Sequence, residues 1–334
     1  MSKYLSLLAT ALLLSIALVG WAAPAAETKA VGAKKQINFP TKPIQLIVPS
    51  GAGAGTDIMS RALASAMKMN QPVVVVNKPG ASGTLGTSEV ALARPDGYTV
   101  VAGMPAPFYI QPHILDLTYS IEDFRHIAQI SPEEPLVLVV RPESPIKTLK
   151  QFEEMLKAGT TVKYGSAQPG SVGHLGMVDM FTQMKVKGGE HVPFQGAAAA
   201  LTALLGGHID IMPADLAEVL PRIRDKQLRP LAVFAPARNA ALPDVPTFKE
   251  IGYNDIICVA FKWVAVPKNT PNEVVDYLKE EINKAVMSDS YKAYIKELNG
   301  LEVVMRSEEE LTKNLKKFRE QYGQTMASIG MKKK

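Results

Sequence analysis

The residues with the strongest claim to chemistry are Gly51, Gly53, Gly55, Thr56 and Asp57, in the stretch PSGAGAGTD between an apolar run, IQLIVP, and an amphipathic run that follows. A strand that feeds a helix through glycines is how dinucleotide sites and P-loops aim backbone N–H groups at phosphate. The spacing argues against both. The dinucleotide fingerprint requires Gly-x-Gly-x-x-Gly, and counting from Gly51 and Gly53 the third place falls on Thr56. The next strand, PVVVVN, closes on Asn77 and Lys78 and not on the acid that would hold a ribose hydroxyl, although Lys78 leaves a narrow opening for a phosphorylated cofactor. A P-loop needs a lysine directly after its last glycine, and none is present here. What remains is a general anion site: exposed N–H groups, the helix dipole and close backbone approach, which suit a carboxylate as well as a phosphate. Thr56 adds a hydroxyl donor. Asp57 and Asp215, the latter in MPADLAEVL, each read either as helix caps or as carboxylates offered to a ligand.

Other chemistries find little support. No Gly-x-Ser-x-Gly elbow is present, and Ser166 with His174 is the one Ser/His pair that draws attention, better read as a backbone or ligand contact than as a catalytic pair. The histidines at 113, 126, 174, 191 and 208 include no His-Glu-x-x-His and no pair four apart, so no metal site is expected. The single cysteine, Cys258 in IICVAF, cannot form an internal disulfide and reads as a small buried apolar residue. The formal net charge is +5, but the basic residues do not form a groove with interleaved aromatics, which excludes a nucleic-acid partner and leaves a mild preference for anions.

Elements that could position these residues begin after an address segment. Lys3, the apolar run 5–19 and the small residues 22–26 read as a signal peptide, residues 1–25, cut between Ala22 and Ala26, which predicts a soluble periplasmic product. The remaining chain, about 310 residues, is large enough for two domains. From 44 to 103 strands and helices alternate as βαβαβ, with the Val/Ile runs of a parallel sheet buried on both faces. A second alternation runs from PLVLVV to RPLAVFA. Proline-rich connections at 131–135 and 241–253 mark the crossings, and helices over 272–286 and 307–329 complete the first half. The expected architecture is α/β with two lobes: residues 37–135 plus 252–334 in one, 136–251 in the other, and a cleft between them. Three strand–turn–helix units, at PSGAGAGTD, YGSAQPGSVGHLG and HVPFQGAAAAL, would point helix starts into that cleft.

FPTKPIQLIVPSGAGAGTD, VVVVNKPGASGTLG, ARPDGYTVV, YGSAQPGSVGHLG, HVPFQGAAAALTALLGGHIDIM, LRPLAVFAPARNAALPDVPTFKEIG and VAVPKNTP occur in order between Phe39 and Pro271, and the likeness extends to about residue 330. Together they resemble the extracytoplasmic solute receptors of tripartite tricarboxylate transporters, the Bug family. The resemblance implies a periplasmic-binding-protein, or Venus flytrap, fold that binds a small carboxylic acid, uses no cofactor, acts as a monomer and hands its ligand to membrane permease subunits. It implies ligand contacts at Ser50, Ala52, Gly53, Ala54, Gly55, Thr56 and Asp57 in the first turn and at Met104 and Pro105 after YTVVAG. In the second lobe it implies contacts at Ser166, Ala167, Gly170 and His174 and at Gly196 and Ala197, to which the reading of Asp215 as a cleft carboxylate adds that residue. Ser50 stands where the family usually has an aromatic residue, Ala54 where it has glycine, Trp263 where glycine is common and Phe261 where tryptophan is common. With Met104, Pro105, Pro107 and Phe108, these departures favour an aromatic or less polar acid over a citrate-like one. The rival expectation is a secreted oxidoreductase or hydrolase using the same cleft.

Overall fold

A computed structural model describes residues 37–333 apart from 254, 255, 257, 300 and 329. The expected signal peptide lies outside the described residues. Two mixed sheets flanked by helices form the two-lobed α/β fold. In the first, β1 (Ile44–Val48), β2 (Val73–Asn77) and β3 (Thr99–Gly103) are parallel, joined by α1 (Gly55–Ala66) and α2 (Thr84–Ala91), as the Val/Ile runs predict. The sheet continues through β4 (Phe124–Gln129), which sequence reading left unassigned. In the second, β5 (Glu134–Val140) is buried along its whole length, as expected of a strand covered on both faces. After it come α3 (Leu149–Lys157), β6 (Lys163–Ser166), α4 (Val172–Met184), β7 (Glu190–Pro193), α5 (Ala197–Leu205), β8 (Ile211–Asp215), α6 (Leu216–Arg224) and β9 (Arg229–Val233).

The return crossing comes later than the proline punctuation indicates. Segment 241–253 stays with the second sheet, where Thr247 bridges Val233 and Phe248 packs on Phe234 with ring centroids 4.4 Å apart. Strand β10 (Val259–Ala260) still pairs with β5, and β11 (Trp263–Pro267) lies between β3 and β4, antiparallel to both. The chain therefore changes sheets at Phe261 and Lys262. There it meets the outgoing crossing: Ile130 N–H donates to the Lys262 carbonyl (2.8 Å), and Lys262 N–H donates to Ser131 Oγ (2.9 Å). Helices α7 (Asn272–Met287), α8 (Asp289–Asn299) and α9 (Glu308–Ser328) close the chain; α8 falls in a stretch that sequence reading left blank.

Trp263 and Phe261, which the resemblance puts among the changes at the pocket, are both fully buried, and neither lines the cavity. Trp263 sits opposite Gly103 across the β3–β11 ladder, and a Cβ on Gly103 would stand 2.1 Å from the indole, so the glycine makes room for the ring. The indole N–H donates to His126 Nδ1 (3.0 Å), and burial pushes the His126 imidazole down to about 4.

Candidate functional site

A cavity of about 560 Å³ opens where the strand-end turns of both sheets meet. The first sheet contributes the turn after β1 (49–51 and 54–56), the turn 79–83 before α2, and residues 104–106 after β3. The second contributes 167–169 with the start of α4, the turn 193–197, and Pro213, Ala214 and Asp215 at the end of β8. Glu218, Leu136, Ala260 and Lys262 complete the wall. Turns at the carboxyl ends of parallel strands are where ligands settle in such folds, because backbone N–H groups emerge there unpaired.

Of the residues singled out from sequence, Ser50, Ala54, Gly55, Thr56, Met104, Pro105, Ala167, Gly196, Ala197 and Asp215 line the cavity. Ala52, Gly53, Asp57, Ser166, Gly170 and His174 do not, and most have evident structural work. Gly53 holds φ +80°, which strains any side chain, and its N–H donates to Asp57 Oδ2 (2.9 Å). Asp57 also accepts from Arg61 and Asn77. Burial alone would raise the Asp57 carboxyl, but these three partners outweigh it and hold it below the ordinary value. Asp57 thus ties the turn together from behind. Ser166 pairs with His191 Nε2 (2.8 Å), not with His174. His174 accepts from the Gly170 N–H (3.0 Å), donates its own N–H to Ser171 Oγ (3.2 Å) and stacks on His191 at 4.1 Å. Burial, together with His191 beside it, pushes His174 down to about 4, so both rings are neutral at pH 7. Pro107 and Phe108 lie off the cavity, and Phe108 is a core residue packed on Phe124 and Trp263.

Asp215 makes no side-chain cap to α6; its Oδ2 accepts from Lys262 Nζ at 2.9 Å. This leads to what sequence reading missed. Lys262, 1% exposed, also donates to Glu134 Oε2 at 2.6 Å. Burial opposes its charge, but Asp215 and Glu134 outweigh that and hold the ammonium charged. Beside it Glu218, 4% exposed, accepts from the Gly55 N–H at 2.6 Å through Oε1, while Oε2 has no hydrogen-bond partner among the described residues. Burial and the neighbouring Asp215 raise the Glu218 carboxyl to about 8. Gly55 permits the close approach, since a Cβ there would stand 2.6 Å from Asp215 Oδ2. The signals in the sequence were a lone lysine inside the apolar run AFKWVAV, an acid opening EPLVLVV and an acid on the apolar side of LAEVL.

Comparison with known proteins agrees with this geometry. The family described as "Tripartite tricarboxylate transporter family receptor" matches residues 59–331. Protein BugT of Bordetella pertussis is 32% identical over 256 residues, covering 75% of this chain and 78% of that protein. Among solved structures, a Rhodopseudomonas palustris protein, MatC, with bound malate superposes with a TM-score of 0.78 at 25% identity, covering 86% of this chain and 99% of the other. R. palustris Rpa4515 with adipate gives 0.83 at 26% identity over 88% and 99%. The periplasmic binding protein BugD gives 0.79 at 27% identity over 89% and 100%. By its matched length and by these relatives, the chain belongs to the tripartite tricarboxylate transporter receptor family, the Bug-type periplasmic solute-binding proteins.

Proposed function

We propose that the chain captures a small carboxylic acid in this cavity and delivers it to the membrane permease of a tripartite transporter, doing no chemistry on it. The observation that carries the reading is the cavity wall itself: helix starts and glycine-rich turns from both sheets converge on one space. Two relatives of the same fold are described with malate and adipate bound. In this reading the acid docks on one lobe and the other closes over it, the hinge lying where the two chain crossings meet at 130–131 and 261–262. Closure is driven by the ligand's higher affinity for the closed form. Carboxylate oxygens would be held by backbone N–H groups of the turns and by the hydroxyls of Ser50 and Thr56. The wall is rich in proline and alanine and carries Met104, which favours an acid with apolar carbon over a citrate-like one.

The test is thermal unfolding against mono-, di-, tri- and aromatic carboxylates, with NADPH alongside. Stabilisation by at least one acid and none by NADPH is expected; stabilisation by NADPH alone would sink the receptor reading in favour of a secreted oxidoreductase. Delivery to the permease is tested by uptake of the stabilising acid in cells with and without this chain.

A further inference from the structure

The strands on which the chain changes sheets separate two cavities. Pro135 of β5 pairs with Val259 of β10, and Glu134 with Ala260, and side chains alternate between the two faces of a strand. Leu136 and Ala260, on one face, line the ligand cavity in front. Pro135 and Val259, on the other, line a second cavity of about 480 Å³ behind. The remaining walls of this rear cavity come from both sides of the hinge. Segment 235–239 follows β9 of the second sheet, while Phe318 and Tyr322 stand on α9, which packs on β4 of the first. In front, the two sides are joined by Glu218, which accepts the Gly55 N–H at 2.6 Å. A rotation about the crossing strands that parts this front seam carries α9 toward 235–239 and narrows the rear cavity; closing the front widens it.

We propose that the rear cavity is a second binding site, for an uncharged molecule carrying an aromatic ring, and that its occupation wedges the hinge toward the closed form and tightens the front cavity on its acid. The volume falls within the roughly 300–1,000 Å³ of small-molecule sites. Among the described residues, two side chains on the rear wall are charged, and each already has its counter-ion: Glu133 pairs with Arg306 at 2.7 Å and Arg238 with Glu250 at 3.0 Å. A charged occupant would lose its hydration with no uncommitted partner to replace it. The rings of Phe318 and Tyr322, with the aliphatic surface of Pro135 and Val259, suit an aromatic one. Among the described residues the two linings share no member, so coupling between the sites passes through the hinge and each ligand raises the affinity of the other by the same factor.

This inference rests on the receptor reading and its hinge, and the test separates the two. Calorimetry on the wild-type protein measures its affinity for the acid that stabilises it most, alone and with saturating indole, p-cresol or benzyl alcohol as the probe. At least one probe is expected to bind and to tighten the acid about three-fold or more, with the acid tightening that probe by the same factor. Val259→Trp and Ala237→Trp each put an indole into the rear cavity and leave the front lining untouched, and they are expected to abolish the effect of the probe. If the acid binds and no probe tightens it, the inference is overturned while the receptor reading stands. If both variants fold and respond to the probe as the wild type does, the probe acts elsewhere and the assignment to the rear cavity is overturned. If no acid binds, the receptor reading falls and this inference falls with it.

Discussion

The turn between β1 and α1 and the turn between β6 and α4 look alike in sequence, a strand, small residues and a helix start, and in each a side chain four residues on accepts a glycine N–H, Asp57 from Gly53 and His174 from Gly170; their helix starts are nonetheless held differently. In the second, the helix start is satisfied from within: Ser171 Oγ accepts the His174 N–H, and His174 Nδ1 accepts the Gly170 N–H. In the first, the N–H of Gly55 is satisfied by Glu218, 163 positions away in the other lobe. One turn closes on itself and presents only its outer edge to the cavity; the other is completed by the lobe that faces it. Similar motifs thus divide the labour, a rigid wall on one side and a charge-linked seam on the other.

The largest expected effect comes from cutting the seam. Lys262→Met leaves Glu134 and Asp215 without their buried cation, and removing one partner of a buried pair costs about 3–5 kcal/mol. Urea unfolding should show that loss; a change below about 1 kcal/mol would mean the cluster does not join the lobes. A smaller effect is expected at Glu218. Its carboxyl is raised to about 8 from an ordinary 4.5, so its contribution is favourable below the unfolded value and is lost as pH rises through that window. Glu218→Gln, which cannot ionise, should therefore gain on the wild type by about 3 kcal/mol between pH 5 and 8 in the absence of ligand. A flat difference across that range would contradict the buried neutral acid.

The self-contained turn should respond to acid instead. His174 is lowered to about 4, so its contribution is present above the unfolded value near 6.5 and is lost as pH falls toward 4. The wild type should lose about 1–2 kcal/mol from His174 over that interval, and His174→Gln should lose less; His126, lowered for the same reason, adds its own share to the slope. The smallest change belongs to Ser171→Ala, about 1 kcal/mol for a lost cap. It should be read as a lower melting temperature, with the affinity for the stabilising acid unaltered. A lost affinity would show that the second turn is not the passive wall described here.

Much of this is legible in the amino-acid sequence alone. The first βαβαβ unit follows from IQLIV, VVVVN and TVVAG, whose unbroken apolar runs fit strands covered on both faces. Strand β4, FRHIAQ, was not legible because its polar residues are satisfied at long range: Arg125 pairs with Glu308, and Gln129 accepts from Arg306. The same distance hid the cavity floor. Lys262 finds Asp215 47 positions away and Glu134 128 positions away, so each reads alone as an ordinary charge. The glycine turn could be identified as an anion site from its spacing, but not the fact that a carboxyl group of the protein itself reaches Gly55.

The place of β11 in the first sheet has a consequence for biosynthesis. The sheet order is β2-β1-β3-β11-β4, so the ladder that joins β3 to β4 is made of residues 263–267, late in the chain. Apart from the short edge strand β10, the second sheet is complete once residue 233 has emerged. A nascent chain can thus finish its second sheet while the first still waits for its middle. The lobe that starts the sequence is the last to become a lobe, and a chain stopped before Trp263 would carry every residue of the cavity wall but no closed first sheet to hold the first lobe's share of it.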